Sequence, residues 1–124
     1  MYAIGSSYLV RQAAGAERLG GVTIRLKPRS DSNGTIEASP TDWRTDQEIN
    51  DDISYLEDAA IAGIRQFAEE HGIRLTEWDI TVSKFAYHPS DSGTLTTQIA
   101  GYNAFASAWA SWNQFRKRVP NIKT

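Results

Sequence analysis

A chain of 124 residues without a break in composition is the size of one domain, and its four Trp, five Tyr and four Phe supply the apolar area for one core. The absence of cysteine excludes disulfides, thiolate metal sites and thiol nucleophiles together. A formal net charge of −2 gives no general pull toward nucleic acid, so any RNA contact requires local basic patches.

The first predicted element is a strand from Val22 to Lys27, where Val22, Ile24 and Leu26 alternate with Thr23, Arg25 and Lys27 and Pro28 stops the run. Asp31-Ser32-Asn33-Gly34 is a turn cluster leading into Thr35–Ala38, which predicts an antiparallel hairpin. Thr45 and Glu48 have capping-box spacing, and Ile49, Ile53, Leu56, Ala60, Ile64 and Phe67 then recur at helical spacing, so a helix is expected over about Asp46–His71. Gly72 fits its left-handed C-terminal cap, with His71 beside the negative end of the dipole. A second, central strand is expected from Trp78 to about Tyr87, with Trp78, Ile80 and Val82 on one face and Thr81, Ser83 and Phe85 on the other. His88–Gly93 reads as a turn, and Leu95, Ile99, Tyr102, Ala106 and Trp109 mark the expected buried stripe of a second long helix that Pro120 ends. Arg116, Lys117 and Arg118 suit its last turn. The order is strand, strand, helix, strand, helix, which predicts one α+β domain over residues 1–124: a small mixed sheet with two long helices packed on one face.

Three segments carry a family resemblance. They are RQAAGAERLGGVTIRLKP at residues 11–28, AAIAGIRQFAEEHGI at 59–73 and DITVSKFAYHPSDSGTLTTQIAGYNAF at 79–105. In this order and at these separations they resemble domain IV of translation elongation factor G, without the factor's GTPase. The resemblance implies a fold shared with domain 2 of a small-subunit ribosomal protein, including a left-handed crossover that the usual handedness rule would not suggest. It also implies transfer-RNA mimicry through two tip loops. In one of them the family's Tyr-His falls on Tyr87 and His88, and its Asp-Ser on Asp91 and Ser92. In the other, Ala13-Ala14-Gly15-Ala16-Glu17-Arg18-Leu19-Gly20 stands where the family has Ser-Gly-Gly-Arg-Gly-Gln-Tyr-Gly, so Glu17 and Arg18 replace its Gly-Gln pair.

The candidate RNA- or ribosome-binding residues are Arg11, Glu17, Arg18, Lys84, Tyr87 and His88. An exposed His and Tyr at the end of a stiff strand can stack on bases or bond to 2′-hydroxyls. Equally, His88-Pro89 can serve only to turn the chain, and Asp91 and Ser92 are read as caps of the second helix. The expected partner is RNA or the small ribosomal subunit. The alternative is a protein partner bound by a domain that keeps the fold without the ribosomal role, and exposed surfaces among Trp43, Trp78, Trp109 and Trp112 would favour it. A third possibility is a GTPase acting in trans.

No Gly-x-x-x-x-Gly-Lys-Ser/Thr loop is present to cradle GTP, and no Gly-x-Ser-x-Gly elbow to present a nucleophile, so neither an enzyme nor a cofactor is expected. His71 and His88 lack metal-ligand spacing, and the acids Asp46, Glu48, Asp51, Asp52, Glu57 and Asp58 read as the solvated side and start of the first helix. Met1–Ser7 lacks a secretory pattern and no apolar run approaches the roughly 18 residues of a membrane span, so a cytoplasmic protein with no membrane partner is expected.

Overall fold

A computed structural model describes residues 1–13, 15–29, 31 and 33–118. The elements are β1 Ala3–Ala13, β2 Ala16–Pro28, β3 Ile36–Asp42, α1 Ser54–Glu70, a short 3-10 turn Leu75–Glu77, β4 Trp78–Phe85 and α2 Thr94–Arg118. Strand order is β1-β2-β4-β3, with β2 antiparallel to β1 and β4, and β3 parallel to β4. The sheet is therefore mixed and the fold is α+β, as the element pattern predicts. β4 is internal, as expected.

The alternation read in Val22–Lys27 belongs to a strand twice that length, and its partner β1 was not predicted. β1 escaped because it inverts the usual pattern: small Ala3, Gly5 and Ser7 face the helices, while Tyr2, Ile4, Tyr8 and Val10 face outward. A Cβ on Gly5 would fall on the Ala104 carbonyl and the Ala108 amide, so the small residues let α2 lie close against the strand. The hairpin consequently turns at Gly15, whose φ of 78° is costly for a residue with a Cβ.

The hairpin expected around Asp31–Gly34 does not form, because β4 inserts between β2 and β3. The connecting residues bond instead to the approach to β4: Arg29 N–H donates to the Glu77 carbonyl and Gly34 N–H to that of Thr76. Nothing local in the sequence announces a strand arriving from so far along the chain.

The first helix begins at Ser54, not near Asp46. Residues 40–49 fold back on the end of β3, with Ile49 N–H donating to the Pro40 carbonyl and Asp42 N–H to that of Gln47. Thr45 Oγ1 accepts from the Gln47 amide at 3.2 Å and Asp46 adopts φ 60°, so the capping box is replaced by a tight turn. Four of the six acids assigned to this helix, Asp46, Glu48, Asp51 and Asp52, thus precede it. The predicted stripe is otherwise correct: Ile53, Leu56, Ala60, Ile64 and Phe67 are buried. Gly72 has φ 64° and His71 Nδ1 lies 2.9 Å from the Phe67 carbonyl, a local cap as expected.

In β4, Phe85 is buried on the same side as Val82 rather than opposite it. Lys84 takes φ 54°, and the β3 register shifts between Ser39 and Asp42, so an irregularity reverses the alternation. Pro40, lacking an N–H, sits in edge strand β3 at that shift. In α2 the expected stripe lies along the margin of the buried one: Tyr102, Ala106 and Trp109 are half-buried against the core. Leu95 is 56% exposed, whereas Thr97, Ala100, Gly101, Ala104, Phe105, Ala108 and Trp112 face the core. Hydrophobicity alone misplaced it, because close approach to β1 and α1 selects small residues. Pro120 lies outside the described residues; Arg116, Lys117 and Arg118 occupy the last described turn.

Trp78 and Trp112 are buried and meet edge-on at 5.6 Å, and Trp109 meets Trp78 edge-on at 5.2 Å. These three rings anchor the far end of α2 to the start of β4. Trp43 alone lies apart from this cluster, tilted against Tyr8 at 5.8 Å on the uncovered face of the sheet.

Candidate nucleic-acid interface

The end of the β1–β2 hairpin and the loop between β4 and α2 are far apart in sequence and joined in space. Leu19 N–H donates to the Asp91 carbonyl at 2.8 Å, and Gly93 N–H donates back to the Leu19 carbonyl at 3.0 Å. A Cβ on Gly93 would sit 3.2 Å from Arg18 Cβ, so the loop runs directly past Arg18. Arg18 stands opposite Arg11 in the strand register, and Gln12 opposite Glu17. Both arginines fall on the helix side of the hairpin, since they share parity with Leu9 and Gly20. Glu17 falls on the open side, where Gln12 Nε2 donates to its carboxylate at 3.3 Å. The arginine pair is thereby separated from the carboxylate by the thickness of the sheet.

The loop holding His88 is built from its own polar groups. His88 N–H donates to Ser92 Oγ at 2.8 Å, and Ser92 Oγ lies 3.4 Å from the Ala86 carbonyl. His88 Nδ1 receives the Ser90 amide at 3.3 Å and lies 3.5 Å from the Asp91 carboxylate. Asp91 and Ser92 thus brace the loop and are not the helix caps expected of them; Gly93 supplies the carbonyl that receives the Thr97 amide at the start of α2. The imidazole stays exposed on a pinned backbone, which suits contact with a nucleotide at little ordering cost.

Two nominated residues are elsewhere engaged. Tyr87 donates to Asp51 at 2.9 Å, and that hydrogen bond holds its phenol above the ordinary tyrosine pKa. Lys84 Nζ lies 3.1 Å from the Asp46 carboxylate. The structure therefore gathers Arg11, Glu17, Arg18 and His88 at one end, while the Tyr87 hydroxyl and the Lys84 ammonium pin the segment before α1.

Sequence reasoning missed the open-face cleft beside this end, a space of about 110 Å³ whose walls include Tyr8, Trp43, Tyr87 and His88 together with Asp42 and Arg44. The signal was present as the alternation through Tyr8 in β1. Its rings and its neighbouring arginine match the stacking surfaces that hold single-stranded bases. Among the described residues no group of three or more His, Asp or Glu is placed to hold a metal ion.

Fold and site together define an α+β domain with one helix-covered face, one open face and a two-loop end. In fold the chain is similar to the crystal structure of ttk003000868 from Thermus thermophilus, at 25% identity and a TM-score of 0.65, over 89% of this chain and 16% of that one. The chain thus spans only a small part of that protein's length. No family model matches the sequence, and no curated protein does.

Proposed function

We propose that the domain is a non-catalytic, translation-factor-like module that binds RNA or the small ribosomal subunit through its two-loop end, in the manner of the elongation factor G domain IV it resembles. The observation that carries this reading is the pairing of Leu19 with the Asp91–Gly93 segment, which sets Arg18 against the loop that also carries the exposed His88. Arg11 and Arg18 neutralise phosphate, and His88 contacts a base or a 2′-hydroxyl. The local basic pair answers the lack of global positive charge. A module of this kind works in the cytoplasm; no helix among the described residues is long and apolar enough to cross a membrane.

Co-sedimentation with ribosomes and isolated small subunits across a salt series tests the reading. Binding is expected to weaken with salt and to fall with His88→Ala and Arg18→Glu. No binding at low salt overturns it. One observation favours the alternative, a protein-binding domain that keeps the fold without the ribosomal role: the open side of β1 exposes Tyr2, Ile4, Tyr8 and Val10.

A further inference from the structure

We propose that β1 is a self-association edge: it pairs antiparallel with β1 of a second copy about a two-fold axis at Ser6, joining two four-stranded sheets into one. β1 is a terminal strand of the sheet, 11 residues long, with its outer edge unpaired among the described residues. Such edges are normally protected by charges, prolines or brevity. Residues 1–10 contain no charged side chain and no proline.

The exposed residues single out the occupant. Tyr2, Ile4, Tyr8 and Val10 all lie on the open face and are 53, 51, 52 and 49% exposed. They are symmetric about Ser6. A two-fold there sets Tyr2 against Val10 and Ile4 against Tyr8, so each outward apolar side chain meets another across the junction. On the helix side the same register sets Gly5 against Ser7 and Ala3 against Leu9, with small residues at the centre. Among the side chains of the seam the axis brings no like charges together, since Arg11 lies beyond the apolar stretch. Of the residue-centred axes along β1, the one at Ser6 gives all four outward apolar side chains an apolar mate from an identical strand. The pairing leaves the hairpin tip at Glu17 and Arg18 and the His88 loop outside the seam and points the two ends in opposite directions, because β1 and its mate run antiparallel.

The lack of native cysteine makes the test clean. In the full chain Ser6→Cys is expected to form a disulfide-linked dimer under mild oxidation, whereas Thr94→Cys at the exposed start of α2 is not. By sedimentation velocity the unmodified chain dimerises as concentration rises. Ser6→Lys, which sets two ammonium groups face to face, weakens the dimer by about tenfold or more with an unchanged circular dichroism spectrum. A monomer at every concentration without selective Ser6→Cys cross-linking overturns the proposal. So does a dimer that tolerates Ser6→Lys. A monomer whose edge takes up an added extended peptide reassigns the strand to a foreign partner and overturns it too. Ribosome co-sedimentation by the Ser6→Lys variant keeps this outcome separate from the role of the two-loop end.

Discussion

Asp79 sits where three parts of the chain meet. Arg29 Nη1 reaches both its oxygens at 3.0 and 3.2 Å, and the Thr35 amide donates to one of them at 3.2 Å. The Arg29 hydrogen bond, followed by that of Thr35, holds the carboxyl below its usual range against the opposing effect of desolvation. A depressed folded pKa means that the stabilisation is complete above the unfolded value of about 4 and is lost as pH falls through the folded one. Asp79→Asn is therefore expected to lower the urea midpoint at neutral pH and to flatten its decline below pH about 4. An unchanged acid limb would mean that this cluster adds nothing. Tyr87 has the opposite sign. Its pKa is raised by the Asp51 bond, so its contribution is complete below about 10 and disappears as pH rises through the folded value. Tyr87→Phe should remove that alkaline loss while leaving ribosome co-sedimentation intact; lost binding would return Tyr87 to the contact surface. Family resemblance marks Tyr87 and His88 alike, and only the position of Asp51 separates their roles.

At the scale of elements, the helices cross at glycines. A Cβ on Gly63 would fall on the Gln98 carbonyl, and one on Gly101 on the Ala60 carbonyl, so α1 and α2 approach nearly backbone to backbone. Gly63→Ala must push the helices apart or strain them, and is expected to cost roughly 1–3 kcal/mol in urea unfolding despite its better helix propensity. A stabilised variant would show that the crossing has slack. The same packing explains which helix stripe was legible. α1 faces the core with Leu56, Ile64 and Phe67, and its periodicity reads directly. α2 faces it largely with Ala and Gly, so the exposed Leu95 and the half-buried Ile99, Tyr102 and Trp109 drew the prediction to the margin of the buried face. β1 hid for the related reason that its covered side is small and its open side apolar.

At the scale of the whole molecule, the predicted behaviour is a salt-dependent ligand at one end and a self-pairing edge along one side. If Arg18 neutralises a phosphate of single-stranded RNA, Arg18→Glu should lower the slope of log affinity against log salt by about 0.7 or more. An unchanged slope in a still-binding variant would place the phosphates elsewhere. The sequence by itself determined the α+β class, the internal strand β4, the buried stripe of α1 and the two segments that form the candidate end. Each rests on short-range periodicity or on contiguous words, which survive whatever the rest of the chain does. Tertiary structure alone decided the strand order, the meeting of Arg18 with the His88 loop, the withdrawal of Tyr87 and Lys84 to Asp51 and Asp46, and the open apolar side of β1. Those depend on which distant segments pair, and the free energy of pairing belongs to the joined surfaces rather than to either segment alone.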